Sequence, residues 1–301
     1  MDLKKFNYLY FKVRDAAKET ILKEAELTEA EFAAFETELA DEVQKIKTER
    51  DKNQEIGAEF IRLTRYLYDP EPPSAKGVPC PKAVNPRQGK IIPLPSATAI
   101  QLPELPLWKA IEQRHSLRKY ADEKLSRQEL SFLLWATQWV KEFRSNERRE
   151  VTFRNVPSAG ARHPLETYLL LNRVEGLPCG LYYYHPVKHG LVLLEEGERI
   201  AEAVFYGSLD QEMVLKSAVT FIWVAIPLRT TWRYSQRGYR YLYLDAGHTG
   251  QNLHLAAEAI GCGACMIGAF YDEGMNEILN LDGKNAFVIY MASLGKKPVS
   301  S

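Results

Sequence analysis

The chain has 301 residues, 46% of them hydrophobic and 26% charged, with 39 basic and 39 acidic side chains. That composition excludes global disorder and leaves no basic excess of the kind a nucleic-acid-binding face needs. No apolar run reaches the ~18 residues of a membrane span, the opening Met1-Asp-Leu-Lys-Lys-Phe lacks the apolar stretch of a secretory signal, and four cysteines form no disulfide framework in a chain this long. A cytoplasmic protein with neither nucleic-acid nor membrane partners is therefore expected.

Residues 8–50 are dominated by Lys, Glu, Ala and Leu, carry no Pro or Gly, and read as helix. A boundary falls at Thr28, which can cap a new helix with Glu31 at the capping-box position. Two acidic amphipathic helices or a kinked pair are expected, continued by a second pattern over 56–68. Residues 1–68 thus read as a helical N-terminal arm, packed on its own body or on a partner subunit. Ten prolines between 69 and 106 mark an extended connector, because proline removes a backbone donor and fixes φ. Arm and connector are expected to lack enough core of their own, which argues for a large dimer interface.

From Leu107 the pattern becomes an α+β alternation. Helices are expected at 107–114 and at 126–140, the second with Ser126 as N-cap and Glu129 three residues on. A strand follows at 165–174, a hairpin at 180–194, helices at 199–206 and 211–216, and a buried strand at 218–226. A long helix at 239–260, a strand at 264–270, a short helix at 273–279 and a strand at 287–293 complete the chain.

Five segments carry chemistry. Arg114-His115-Ser116-Leu117-Arg118 sets two permanent cations around a hydroxyl, which suits a phosphate, although surface arginines are more often simply solvated. Pro157-Ser158-Ala159-Gly160-Ala161-Arg162-His163-Pro164 lets a backbone approach a flat ligand closely, or is a plain turn. In Asp245-Ala-Gly247-His248-Thr-Gly250-Gln251-Asn252, two glycines inside a helical pattern imply that a helix or a ligand packs tightly there. Gly261-Cys262-Gly263-Ala264-Cys265-Met266 has Met266 where a dinucleotide fingerprint needs its third glycine. Its Cys262/Cys265 spacing has no second pair for zinc, and the flanking helix-then-strand order is the reverse of a thioredoxin-like site. No metal site is expected, and a redox switch through these cysteines ranks last among the readings. Trp232-Arg233-Tyr234 through Tyr241 alternates arginines with aromatics, a pattern that suits nucleotide binding by stacking and charge, hydrogen-bond donors toward a substrate, or a polar helix start.

In their order these segments resemble the flavin-dependent nitroreductase superfamily. Arg114-His-Ser-Leu-Arg118, Leu130 to Gln138, and Pro157-Ser-Ala-Gly160 running on to Pro164-Leu-Glu-Thr-Tyr168 carry the likeness. Gly180-Leu-Tyr-Tyr-Tyr184, Gly247 to Asn252 and Ile267-Gly268-Ala-Phe270 narrow it to the SagB/ThcOx-type branch over about residues 107–297. The resemblance implies an α+β fold with a mixed central sheet surrounded by helices, and a homodimer with FMN at its interface. It places Arg114, His115, Ser116 and Arg118 at the FMN phosphate and ribityl chain. Pro157, Ser158, Ala159 and Gly160 fall along the isoalloxazine ring, Gly268 and Ala269 near flavin N5, and Lys296 and Lys297 as further phosphate cations.

By the same analogy NAD(P)H is the electron donor to a small-molecule or peptide substrate. Azoline-forming members of the branch carry a Lys-Tyr pair where Arg233-Tyr234 stands here. Arginine stays protonated and cannot serve readily as a base, so Tyr234 is expected as a proton donor and thiazole or oxazole formation is not expected. The same departure, with the acidic arm, motivates an alternative: a flavin-fold binding or partner subunit without turnover.

Overall fold

In the computed structural model, which describes residues 3–298 apart from 54, 86 and 148, the chain divides into two units, Met1–Asp69 and Pro70–Ser301. The first unit holds α1 (Leu3–Lys12), α2 (Lys18–Glu24), α3 (Glu29–Glu38), α4 (Ala40–Lys52) and α5 (Ile56–Leu63). The break expected at Thr28 is a capping box: Thr28 Oγ1 accepts from Glu31 N at 3.2 Å, and Glu31 Oε2 accepts from Thr28 N at 2.8 Å. Further breaks come from Asp15 and Glu26, both in the left-handed region at φ 58° and 50°. The helices are therefore shorter and more numerous than a helical composition suggests.

Folding back in this way lets α1 to α4 enclose Tyr8, Leu9, Val13, Ile21, Phe32, Leu39 and Val43, with Tyr8 edge-on to Phe32 at 5.7 Å. Each such side chain contributes ~1.5–3 kcal/mol when fully buried. The expectation that the arm lacks a core of its own is corrected by this cluster. A composition count registers the apolar residues but not their convergence.

In the second unit the proline-rich segment contributes β1 (Ile91–Pro93) to the sheet. There follow α6 (Leu107–Gln113), α7 (Arg127–Gln138), and a hairpin outside the expected elements, β2 (Val140–Asn146) with β3 (Arg149–Arg154). Then come β4 (Leu165–Leu171), β5 (Gly180–His185), β6 (Gly190–Glu196), α8 (Glu198–Gly207), α9 (Met213–Lys216) and β7 (Val219–Ala225). The chain continues through α10 (Pro227–Tyr234), α11 (Gly238–Ala259), β8 (Cys262–Ile267), α12 (Asp272–Ile278) and β9 (Phe287–Lys296). Helix α7 starts at the expected Ser126–Glu129 capping box. Helix α10 escaped the sequence reading because its eight residues carry two arginines, two threonines and Pro227 at its start.

Seven strands form one sheet in the order β1-β6-β5-β4-β7-β9-β8. The α+β class holds. Each ladder is antiparallel, and among the described residues parallel pairing is confined to isolated bridges such as Ser116 with Ala264. Period-two alternation sorts the strands onto two faces. Leu165, Leu169, Phe221 and Trp223 pack with Leu130 and Leu133 of α7 and Leu253 of α11. Tyr168, Leu170, Ile222 and Val224 pack on the other face with Val204 of α8 and Met275 of α12. Both faces are buried, which is why these strands read as continuous apolar runs.

Beyond β8 the segment 116–121 lies along the sheet edge, with Leu117 N donating to Ala264 O at 3.0 Å. Gly263 and Gly295 permit this approach. A Cβ on Gly263 would stand 2.5 Å from Leu117 Cδ2, and one on Gly295 would stand 2.9 Å from Tyr120.

Candidate functional site

One end of the site is basic. Arg114 follows α6 and is half-buried, whereas His115, Ser116 and Arg118 are exposed along β8. Arg118 Nη1 donates to Ser116 O at 3.4 Å, and His115 Nδ1 lies 3.1 Å from Gln113 O. Among the described residues neither guanidinium is ion-paired with a carboxylate. Burial first, then the charges of Arg114 and His115 against the opposing Glu258, hold the His254 imidazole of α11 below its ordinary pKa. Such a concentration of uncompensated charge suits an anion.

The other end is a turn of small residues. Ser158 Oγ donates to Asp245 Oδ2 at 2.6 Å, and Ala159 N donates to Asp245 Oδ1 at 3.3 Å. Asp245 on α11 is buried, and desolvation raises its pKa against these two hydrogen bonds. Gly160 takes φ 57°, where an L side chain is strained. It is also crowded: a Cβ there would overlap the Tyr234 hydroxyl and lie 3.4 Å from Arg233 Cδ. The structure thus brings Arg233 and Tyr234, more than seventy residues away in sequence, onto the Pro157–Gly160 turn.

Helix α11 links the two ends. Asp245 and His254 are nine residues apart, roughly 13 Å along a helix axis. The helix packs on β8 through Gly250, where a Cβ would meet Met266 Sδ at 3.0 Å. A sheet strand, rather than another helix, is thus the close neighbour its glycine pattern implied, while Gly247 faces open space. Ser116 is level with Ala264, so Gly268 stands four residues further along, roughly 13 Å in extended chain. Gly268 and Ala269 are exposed, and a Cβ on Gly268 would meet nothing within 4 Å. The guanidiniums and the open glycine therefore follow one strip along the β8 edge, and the small-residue turn meets α11 at Asp245, roughly half a turn round the helix from His254.

Two pairs of predicted residues sit differently. Lys296 is ion-paired with Glu129, and Lys297 Nζ lies 2.5 Å from Glu258 Oε2. Cys262 and Cys265, three residues apart on one strand, point into opposite sheet faces, each in a different core cluster. They cannot bridge without unravelling β8, and burial raises the Cys262 thiol to about 12. This corrects the redox-switch reading: CxxC spacing brings two thiols together in a turn or helix, not in a strand.

A polar cluster missed by the sequence reading underlies the turn. Arg229 of α10 is fully buried and ion-paired with Glu166 of β4, which also accepts from Tyr183 Oη at 2.7 Å. Burial pushes the Glu166 carboxyl up, but Arg229, the Tyr183 hydroxyl and Arg154 outweigh it and hold the pKa below its ordinary value. A single charged residue in a strand that is otherwise uncharged and mostly apolar was the available signal. His163 is also buried, and desolvation with the charges of Arg154, Arg162 and Arg229 lowers it to about 2.

A buried neutral histidine makes stability pH-dependent. With the folded value below the unfolded one, stability is complete above pH 6.5 and falls as pH drops toward about 2. We predict that between pH 6.5 and 5 the second unit loses about 2 kcal/mol more than a His163→Asn variant does. Urea unfolding at both pH values checks this; parallel losses in the two proteins would refute it.

Sheet and helices define an α+β protein with a basic segment along one sheet edge and a turn of small residues held by α11. The chain belongs to the nitroreductase family, whose model matches residues 111–296, and an oxidoreductase function accords with that membership. A relative from Methanocaldococcus jannaschii named as a nitroreductase, MJ1384, is 34% identical over 201 residues, covering 66% of this chain and 96% of its own. A solved nitroreductase-named structure from Anabaena variabilis is 29% identical with a TM-score of 0.53, over 64% of this chain. The match spans only 38% of that longer protein. The E. coli microcin synthetase McbBCD complex, with truncated pro-MccB17 bound, shares the fold at a TM-score of 0.51 and 21% identity, over 71% of this chain and 77% of its own. No helix among the described residues is long and apolar enough to cross a membrane.

Proposed function

We propose that the second unit, principally residues 107–301, is an FMN-dependent oxidoreductase of the SagB/ThcOx type. It works in the cytoplasm as a homodimer and takes electrons from NAD(P)H. The observation that carries this reading is the strip itself: Arg114 and Arg118 without carboxylate partners, on the same sheet edge as the exposed Gly268 and joined by α11 to the Ser158–Gly160 turn. These residues fit the group. The guanidiniums would neutralise the phosphate, with Ser116 between them. Ser158, Ala159 and Gly160 would offer a small-residue surface to the ring, and Gly268 would leave backbone open beside it, while the Ala269 carbonyl already accepts from Gln211 Nε2 at 2.8 Å.

FMN, when bound, supplies hydride exchange, while the protein orients it and sets its electrostatics. Tyr234, with its hydroxyl over Gly160, would hold a proton for the substrate, and Arg233 would keep a fixed positive charge beside it. Lys296 and Lys297 would reach a phosphate only on leaving Glu129 and Glu258. Exposed Leu107, Trp108 and Ile111 on α6, with Tyr243 and Leu244 on α11, support a second copy of the chain as the partner. A small molecule or a peptide is the substrate; likeness to an assembly that binds pro-MccB17 supports the peptide.

Anaerobic addition of NADPH or NADH to the FMN-loaded protein tests turnover. Rapid bleaching of the flavin absorbance is expected. Bound flavin that neither donor reduces would favour a partner subunit without turnover.

A further inference from the structure

Helix α10 has eight residues, fewer than an isolated helix needs to persist in water, so its position must come from its neighbours. Most of its polar anchors lie in 74–85, ahead of the part of the chain that matches the family. Ser74 N donates to Trp232 O at 2.8 Å, and Trp232 Nε1 returns a bond to Val78 O at 2.7 Å. Arg229 Nε donates to Lys82 O at 2.9 Å, and Asn85 N donates to Glu166, the carboxylate that pairs with Arg229, at 3.0 Å. Arg162 connects the layers. It donates to Arg229 O at 2.6 Å and to Cys80 Sγ at 3.3 Å, and stacks over the Trp232 ring at 5.0 Å.

The C-terminal end of α10 is under constraint as well. Ser235, directly after Tyr234, is buried and takes φ 46° and ψ −141°, a conformation that persists only where its surroundings impose it. Gly238 abuts α10 so closely that a Cβ would lie 3.1 Å from the Thr231 backbone. Arg233 and Tyr234 thus stand between a bonded segment on one side and a strained joint on the other.

We propose that residues 74–85 are a clamp that sets the position of Arg233 and Tyr234 over the Gly160 turn, with Trp232 as the positioning residue that couples clamp to site. The clamp thereby acts on the substrate-facing wall through Arg233 and Tyr234, and this rests on the flavin-site reading given above. Trp232 meets the Pro157–Pro164 segment at Arg162, which closes the small-residue turn. Its effect on substrate passes through the next two residues.

Amide hydrogen exchange on the full chain, with and without FMN, tests the clamp through Trp232→Phe. That variant keeps a ring for Arg162 but loses the indole donor to Val78. One lost hydrogen bond of about 1 kcal/mol corresponds to roughly fivefold faster opening. Exchange is expected to rise by about that factor in 74–85 and 227–234 together, with α7 and α12 unchanged. In the FMN-loaded protein the KM for a quinone acceptor such as menadione is expected to rise severalfold, while FMN affinity is retained. Trp232→Ala, which also removes the stack, is expected to enlarge both effects. Faster exchange in 227–234 without 74–85, or an unchanged acceptor KM, would overturn the proposal. Failure of the protein to bind FMN would overturn the flavin reading instead, and the exchange result in the free protein would still decide whether 74–85 and α10 move as one.

Discussion

Arg229→Met is expected to destabilise the second unit by roughly 3–5 kcal/mol, because it leaves the Glu166 carboxylate buried without its counter-ion. Arg229 is 0% and Glu166 3% exposed at the side chain, so water cannot replace the lost guanidinium. Tyr183 and Asn85 still donate to Glu166, but neither carries charge, and Arg154 acts on it through space without an ion pair. The companion double variant, Arg229→Met with Glu166→Leu, is expected to recover much of the loss, since a buried ion pair replaced by apolar side chains of similar volume is often neutral. Urea unfolding followed by a probe in the second unit measures both. A single variant within 1 kcal/mol of the parent would show that the pair does not hold α10 to the sheet.

Removing both strip cations, in Arg114→Ala with Arg118→Ala, is expected to weaken FMN binding by at least ~100-fold. Each charge-assisted contact contributes about 1.5–3 kcal/mol, and neither residue has a carboxylate partner to strand among the described residues. Both lie at or near the surface, so the fold should be little affected. Riboflavin, which has no phosphate, supplies the control. It should bind parent and double variant alike, and about as weakly as FMN binds the double variant. A double variant that kept parental FMN affinity would remove the phosphate from this end of the strip.

How much was legible in the sequence depended on whether a signal was local. Thr28–Glu31 and Ser126–Glu129 announce helix starts within four residues, and both are capping boxes. Strands buried on both faces are apolar runs wherever they pair, so β4, β7 and β9 were readable while their order in the sheet was not. The contact between Tyr234 and Gly160 depends on α10 folding back over the turn, and nothing within a few residues of either announces it. Asp245 stands out in the sequence only for the glycines that follow it, and its bonds to Ser158 and Ala159 come only with the fold. The clamp is the clearest case: a proline count marks 69–106 as extended, but backbone carbonyls at Val78 and Lys82 carry no sequence signature for the side chains that reach them.

The most direct test of the central claim is a crystal structure of the protein grown with FMN. The phosphate is expected within about 3 Å of the Arg114 or Arg118 guanidinium nitrogens, with the ring against Ser158–Gly160 and the Gly268–Ala269 backbone. FMN seated elsewhere, or the strip filled by the protein's own side chains with no flavin density, would contradict it.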